Sequence, residues 1–151
     1  MAVTVVETVL LSLRAGRLCF RVRSRRLASG THPDELARRL AGLRGGEPAG
    51  LTHSTSWRYD GGAVVLTYAA LPDPDPTDAI PLDPDRIVPY PADPLAPGAV
   101  RLSAHDVAAH AGRHLAYLRR TDPLAGRAAA AQPALWEAIA RFEPGLAGVL
   151  T

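Results

Sequence analysis

Side chains able to do chemistry are densest at positions 53–59, where His53, Ser54, Thr55, Ser56, Trp57, Arg58 and Tyr59 follow one another without a break. An imidazole exchanges protons near neutral pH, and hydroxyls can hold phosphate oxygens. An aromatic pair beside guanidinium groups suits the stacking of a planar ligand or the holding of an anion. In an extended chain, alternation puts Trp57 and Tyr59 on one face with Thr55, and Arg58 on the other with Ser56. The bland alternative is that Trp57 and Tyr59 only seal a sheet against helices packed on it. Ser54 and Ser56 lack the Gly-x-Ser-x-Gly surroundings of a nucleophile elbow.

Two further groups have suggestive spacing. Asp106, His110 and His114 stand at i, i+4 and i+8, which lines them up on one helix face and can present two imidazoles to one metal ion. No second ligand-bearing helix accompanies them, so a polar helix face is the reading taken, and no metal site or cofactor is assigned. Six of the 17 basic residues, all of them Arg, fall at 14–26. Such a local basic surface can meet phosphate or another anion, or it can be a solvated strand face.

The elements that must position these groups are legible from pattern. Residues 51–72 read as a hairpin: a polar and aromatic first arm, a turn at Asp60-Gly61-Gly62, and an apolar second arm suited to an interior strand. Residues 2–13 are rich in β-branched side chains, and 17–25 alternate strictly, with Arg14-Ala15-Gly16 turning between them. Glu7 interrupts the first of these strands and points outward or is paired. Thr31 or His32 caps a helix with Pro33, Asp34 and Glu35 in its first turn, and Leu36, Leu40 and Leu43 form its apolar stripe. Ser103 with Asp106 approximates a capping box opening a long helix, whose buried stripe is Val107, Ala111, His114 or Leu115, and Leu118. Residues 124–132 form a short Ala-rich helix, and Pro133 opens another that packs through Leu135, Trp136, Ile139 and Phe142.

Between the hairpin and the long helix, residues 72–98 hold most of the chain's 14 prolines. That density excludes helix and interior strand and implies an extended surface connector, with Ile87-Val88 a short edge strand. The whole is expected to be one α+β domain with a mixed or antiparallel sheet of about four to six strands. Residues 1–72 supply the sheet and first helix, 73–101 the Pro/Asp-rich connector, and 102–151 the C-terminal helices. The apolar tail at 146–150 either packs or mediates a homodimer.

Bulk composition limits the function classes. With 151 residues, 47% of them apolar, the chain can bury one core. No stretch approaches a membrane span, no secretory leader opens the chain, and Cys19 is alone, so a cytoplasmic protein without disulfides is expected. The net charge of +2 and the absence of an interleaved basic and aromatic signature argue against a nucleic-acid partner.

A leading hairpin with RLCFRVRSRR, then GTHPDELARRLAGL, then a strand pair ending VVLTYAALP, resembles the core of a Nudix domain over roughly residues 3–118. In that family the helix carries a metal-binding box acting on nucleoside diphosphate compounds. The box requires Arg-Glu followed by a Glu-Glu pair, whereas this helix offers Arg38-Arg39-Leu40-Ala41-Gly42-Leu43. The resemblance therefore implies a degenerate member without Mg²⁺-dependent hydrolysis. His53-Ser54-Thr55 also resembles the His-x-Thr element of two-histidine phosphoesterases, but the second copy is missing.

Three readings follow. The first is a binding or regulatory module for a small anionic, planar or phosphate-containing ligand. Its pocket lies between the Arg-bearing second strand and the His53–Tyr59 arm, built from Arg23, Arg25, His32, Arg39, Ser54, Ser56, Trp57, Arg58 and Tyr59. The second makes His53 the acid–base residue of a metal-independent hydrolase, steadied by Arg23, Arg25 and Arg58. The third is a structural protein that pairs through its tail.

Overall fold

A computed structural model describes residues 3–43, 50–86 and 102–149. Strand β1 (Val3–Arg14) turns through Ala15 and Gly16, both at positive φ, into antiparallel β2 (Arg17–Arg26). Helix α1 (Pro33–Ala41) follows, then β3 (Leu51–Asp60) and β4 (Ala63–Leu71), joined by Gly61 and Gly62. Both glycines have positive φ, as a tight hairpin turn requires. The two hairpins meet through a parallel pairing of β1 with β4, so β1 and β4 lie at the centre of one mixed sheet.

Two short strands extend that sheet to the order β5-β2-β1-β4-β3-β6. A 3₁₀ turn at Pro76–Asp78 precedes β5 (Ile80–Pro81), which pairs with β2, so this part of the proline-rich connector is laid along the sheet edge. Proline is tolerated there because an edge strand leaves one row of donors unpaired. The edge strand expected at Ile87-Val88 lies outside the described residues. At the other edge β6 (Gly148–Val149) pairs parallel with Ser56 and Trp57, so the described part of the tail packs on its own chain.

Side-chain alternation gives the sheet two unlike faces. Val9 and Leu11 of β1, Leu18 and Phe20 of β2, and Ala69 and Leu71 of β4 meet α2 (Ala104–Thr121), α3 (Pro123–Ala131) and α4 (Pro133–Ile139) in the main core. The long helix has the capping box its sequence announces, with Ser103 accepting from the Asp106 N–H and Asp106 accepting from the Ser103 N–H. Leu135, Trp136, Ile139 and Phe142 are all buried, as their spacing requires. Val6, Leu10, Tyr68 and Ala70 point the other way, onto Leu36, Ala37, Leu40 and Ala41 of α1. The result is an α+β sandwich with three helices on one side and a single nine-residue helix on the other.

Candidate functional site

The decisive local feature is a β-bulge in β3. Ser54 pairs with Tyr68 and Ser56 with Thr67, which leaves Thr55 as an extra residue. An extra residue reverses the facing of everything beyond it. His53 therefore shares the three-helix face with Ser56 and Arg58, while Thr52, Ser54, Trp57 and Tyr59 share the α1 face. Simple alternation placed Thr55 with Trp57 and Tyr59; instead its hydroxyl is buried and donates to the Thr67 carbonyl. The His-x-Thr pattern consequently does not bring imidazole and hydroxyl together.

The pocket expected between the second strand and the 53–59 arm does not form, because β1 and β4 stand between β2 and β3. Arg23 lies on the α1 face and donates to the Leu40 carbonyl at 3.0 Å, closing the C-terminal end of α1. His32 is the helix cap, its Nδ1 accepting from the Asp34 N–H. Arg39 pairs with Glu35 on the outer surface of α1. Arg58 is spent on Glu7, at 3.0 and 3.2 Å, and on the Thr67 hydroxyl; both charged side chains are more than four-fifths buried. All four are engaged by partners within the chain, and the sheet order does not bring them together into one pocket. Glu7 is thus the paired residue of the two alternatives its position allowed. Arg25 is exposed on β2, with β1 and β4 between it and β3, and the Ser56 hydroxyl is buried without a partner among the described residues.

What the structure does bring together is a cleft of about 210 Å³ lined by Asp34 and Arg38 of α1, Thr52, His53 and Ser54 of β3, and Tyr68 of β4. The Tyr68 hydroxyl donates to Asp34. Burial, that hydrogen bond and the nearby negative charge all push the phenol well above its usual range, so it stays protonated. Arg38 is exposed and has no hydrogen-bonded partner among the described residues. Next to Ser54 on the same face comes Trp57, 38% exposed, in edge-to-face contact with Tyr59, 72% exposed. They do not seal the sheet against the C-terminal helices, which pack on its other side.

Of the residues singled out by sequence, Ser54, Trp57 and Tyr59 belong to this region; His53 borders the cleft in β3, but its ring is on the three-helix face beside His114. Arg38, Asp34, Thr52 and Tyr68 were missed. Asp34 and Arg38 are four apart on a helix, which gives them a common face. Tyr68 is the one phenol in an apolar run; these were the available signals.

On the opposite face, Asp106, His110 and His114 share a helix edge but each turns to its own partner. Asp106 binds Ser103 and Arg86, His110 Nε2 donates to the Thr55 carbonyl at 3.3 Å, and His114 Nδ1 donates to the Gly145 carbonyl at 3.1 Å. Burial lowers the proton affinity of both imidazoles. Among the described residues no group of three or more His, Cys, Asp or Glu is placed to hold a metal ion. Also among them, no helix is long and apolar enough to cross a membrane. No family model, no curated protein and no solved structure matches the chain.

Proposed function

We propose that the protein is a binding or regulatory module for a small ligand carrying both an anionic group and a planar ring, of the nucleotide class. The observation that carries this reading is the bulge at Thr55. It sets Ser54, Trp57 and Tyr59 in line on the face where the exposed Arg38 borders the cleft. Same-face neighbours along a strand are about 7 Å apart, so a ring on Trp57 keeps its phosphate within reach of Arg38, Ser54 and Thr52. Exposed aromatic faces bind planar ligands by stacking without needing a closed cavity. The carboxylates of α1 are engaged by Tyr68 and Arg39. They supply no cluster for Mg²⁺, which supports ligand binding rather than metal-dependent hydrolysis. A Nudix-like build stays part of the proposal, supported by the strand–strand–helix–strand–strand order ahead of the long helix.

Trp136 is fully buried, so a ligand-dependent change in tryptophan fluorescence reports Trp57. Titration with nucleoside mono- and diphosphates in the presence of a chelator should quench saturably. Arg38→Ala should weaken binding about tenfold, the size of one charge-assisted contact. Equal affinity of the wild type and the Arg38→Ala variant, or no quenching by any nucleotide, would overturn the reading.

One observation favours the enzymatic reading as a second. His53 Nδ1 donates to the Ser54 carbonyl at 2.7 Å, so Nε2 is the nitrogen that can act as a base in the neutral ring. His53→Ala should then abolish turnover of a phosphate ester while nucleotide binding persists.

A further inference from the structure

On the three-helix face, the rings of His53 and His114 lie 5.4 Å apart, centre to centre, tilted by 53°. Each imidazole spends its Nδ1–H on a backbone carbonyl, His53 on Ser54 and His114 on Gly145. A carbonyl only accepts, so Nδ1 carries the hydrogen on both rings, and in the neutral form of each ring the lone pair is the one on Nε2. The His114 residue is 4% exposed, and its Nε2 is buried without a hydrogen-bond partner among the described residues. An unpartnered buried acceptor is costly, and such groups in native folds call for an explanation. A backbone carbonyl fixing the outer nitrogen of an imidazole is the usual support for a metal-binding histidine.

We propose that His53 and His114 form a two-imidazole site for a divalent transition ion of the Zn²⁺, Ni²⁺ or Cu²⁺ class. Two imidazoles bound through nitrogen at about 2.0–2.1 Å to one tetrahedral ion have ring centres roughly 5 to 5.5 Å apart, the separation already present. Neutral nitrogen donors select this class, whereas Mg²⁺ and Ca²⁺ demand oxygen. His53 is only half buried, so the remaining coordination positions open toward water on its side. With two protein ligands the site is exchangeable, unlike a closed structural zinc site. Because Gly145 lies three residues before the strand that pairs with β3, an ion on His114 also fastens the C-terminal segment to the sheet edge. The site is on the face opposite the aromatic cleft and does not depend on the ligand proposed there.

The test is Cu²⁺ binding to the full chain followed by electron paramagnetic resonance, with Zn²⁺ titration by calorimetry. The expected result is one ion per chain, hyperfine coupling to two imidazole nitrogens, and at least tenfold weaker binding in both His53→Ala and His114→Ala. His32→Ala, which alters an exposed histidine, should bind as the wild type does. If His114→Ala fails to fold, the half-exposed His53→Ala decides alone, its spectrum falling to a single nitrogen. Unchanged Zn²⁺ affinity in His53→Ala, coupling to one nitrogen in the wild type, or loss of binding in His32→Ala would each overturn the site.

Discussion

The two faces of the sheet are covered unequally. Three helices pack most of the buried apolar side chains onto one face, where Leu115, Trp136 and Ile139 of the helices and Phe142 just beyond them join Phe20 of β2 in the main core. On the other, α1 offers Leu36, Ala37, Leu40 and Ala41, enough to cover the rows of Val6, Tyr68 and Leu10 but not the outer strand β3. Burial of apolar area is what holds such layers together, so the three-helix face carries the stability. The polar and aromatic residues of β3 remain reachable beside α1 because that helix is too short to close over them. A nine-residue helix thus leaves room for binding at little cost to the fold.

The largest break in this comparison should come from Trp136→Ala. The side chain is fully buried against the sheet, and its loss removes a large apolar volume that the surrounding helices cannot refill. A loss of about 3–5 kcal/mol is expected in urea unfolding, enough to leave a marginal domain largely unfolded. Leu36→Ala in α1 should cost less, about 2–3 kcal/mol, because its satellite cluster is smaller and can relax toward solvent. Equal costs would show that the two faces share the load.

Next in size is the ion pair of Glu7 and Arg58. Glu7→Ala leaves the guanidinium buried with only the Thr67 hydroxyl as partner, and about 3 kcal/mol should be lost. A Glu7→Leu, Arg58→Met double variant should recover most of that, since the attraction of the pair is offset by the desolvation of both charges. Thermal unfolding of the three proteins checks the ordering. If Glu7→Ala is silent, the pair is solvated and Arg58 is free for a ligand after all.

This pair shows where sequence reading stops. The hairpins were legible because turn glycines flank strand-forming residues, and the helices because Ser103, His32 and the prolines mark their starts. Those are local signals. The parallel pairing of β1 with β4 is not local, and nothing in either strand names its partner. Nor does the bulge at Thr55 carry a glycine or any other mark, yet it decides which face receives His53, Arg58 and Trp57. Arginine is the least legible residue here. Arg23, Arg39 and Arg58 look alike in the sequence, and only the fold shows that they meet a helix-end carbonyl, a neighbouring glutamate and a buried carboxylate. Arg38, without such a partner among the described residues, is the one that borders the cleft.

A smaller effect is expected at the start of α2. Burial alone would raise the Asp106 carboxyl. The Ser103 N–H, the Arg86 guanidinium and the Ser103 hydroxyl outweigh it and hold the group below its ordinary value of 3.8. A carboxyl depressed on folding stabilises the protein fully above its unfolded value, and that stability is lost as the pH falls through the folded value. Asp106→Asn should therefore cost about 1 kcal/mol at neutral pH and flatten the decline in stability below about pH 4. A variant with the wild-type acid profile would place that acid sensitivity elsewhere.

The smallest effects separate two arginines on the α1 side. Arg39 meets Glu35 in an exposed i, i+4 pair, both side chains more than half accessible. Solvent screens such a pair, and Arg39→Ala should change stability by no more than about 0.5 kcal/mol. Arg23 instead satisfies the Leu40 carbonyl, one of the acceptors a helix leaves open at its C-terminus, and it places positive charge at the negative end of the helix. Its replacement by Ala should cost about 1 kcal/mol, mostly by fraying α1. Amide exchange resolves the difference better than global unfolding, because fraying quickens the last turn of α1 while the central strands stay protected. Since Arg38 projects from that helix into the cleft, fraying should also weaken nucleotide binding in Arg23→Ala and leave Arg39→Ala unaffected. If both variants bind and exchange alike, α1 is held by its apolar stripe alone, and the single helix needs no charged fastening to present Arg38.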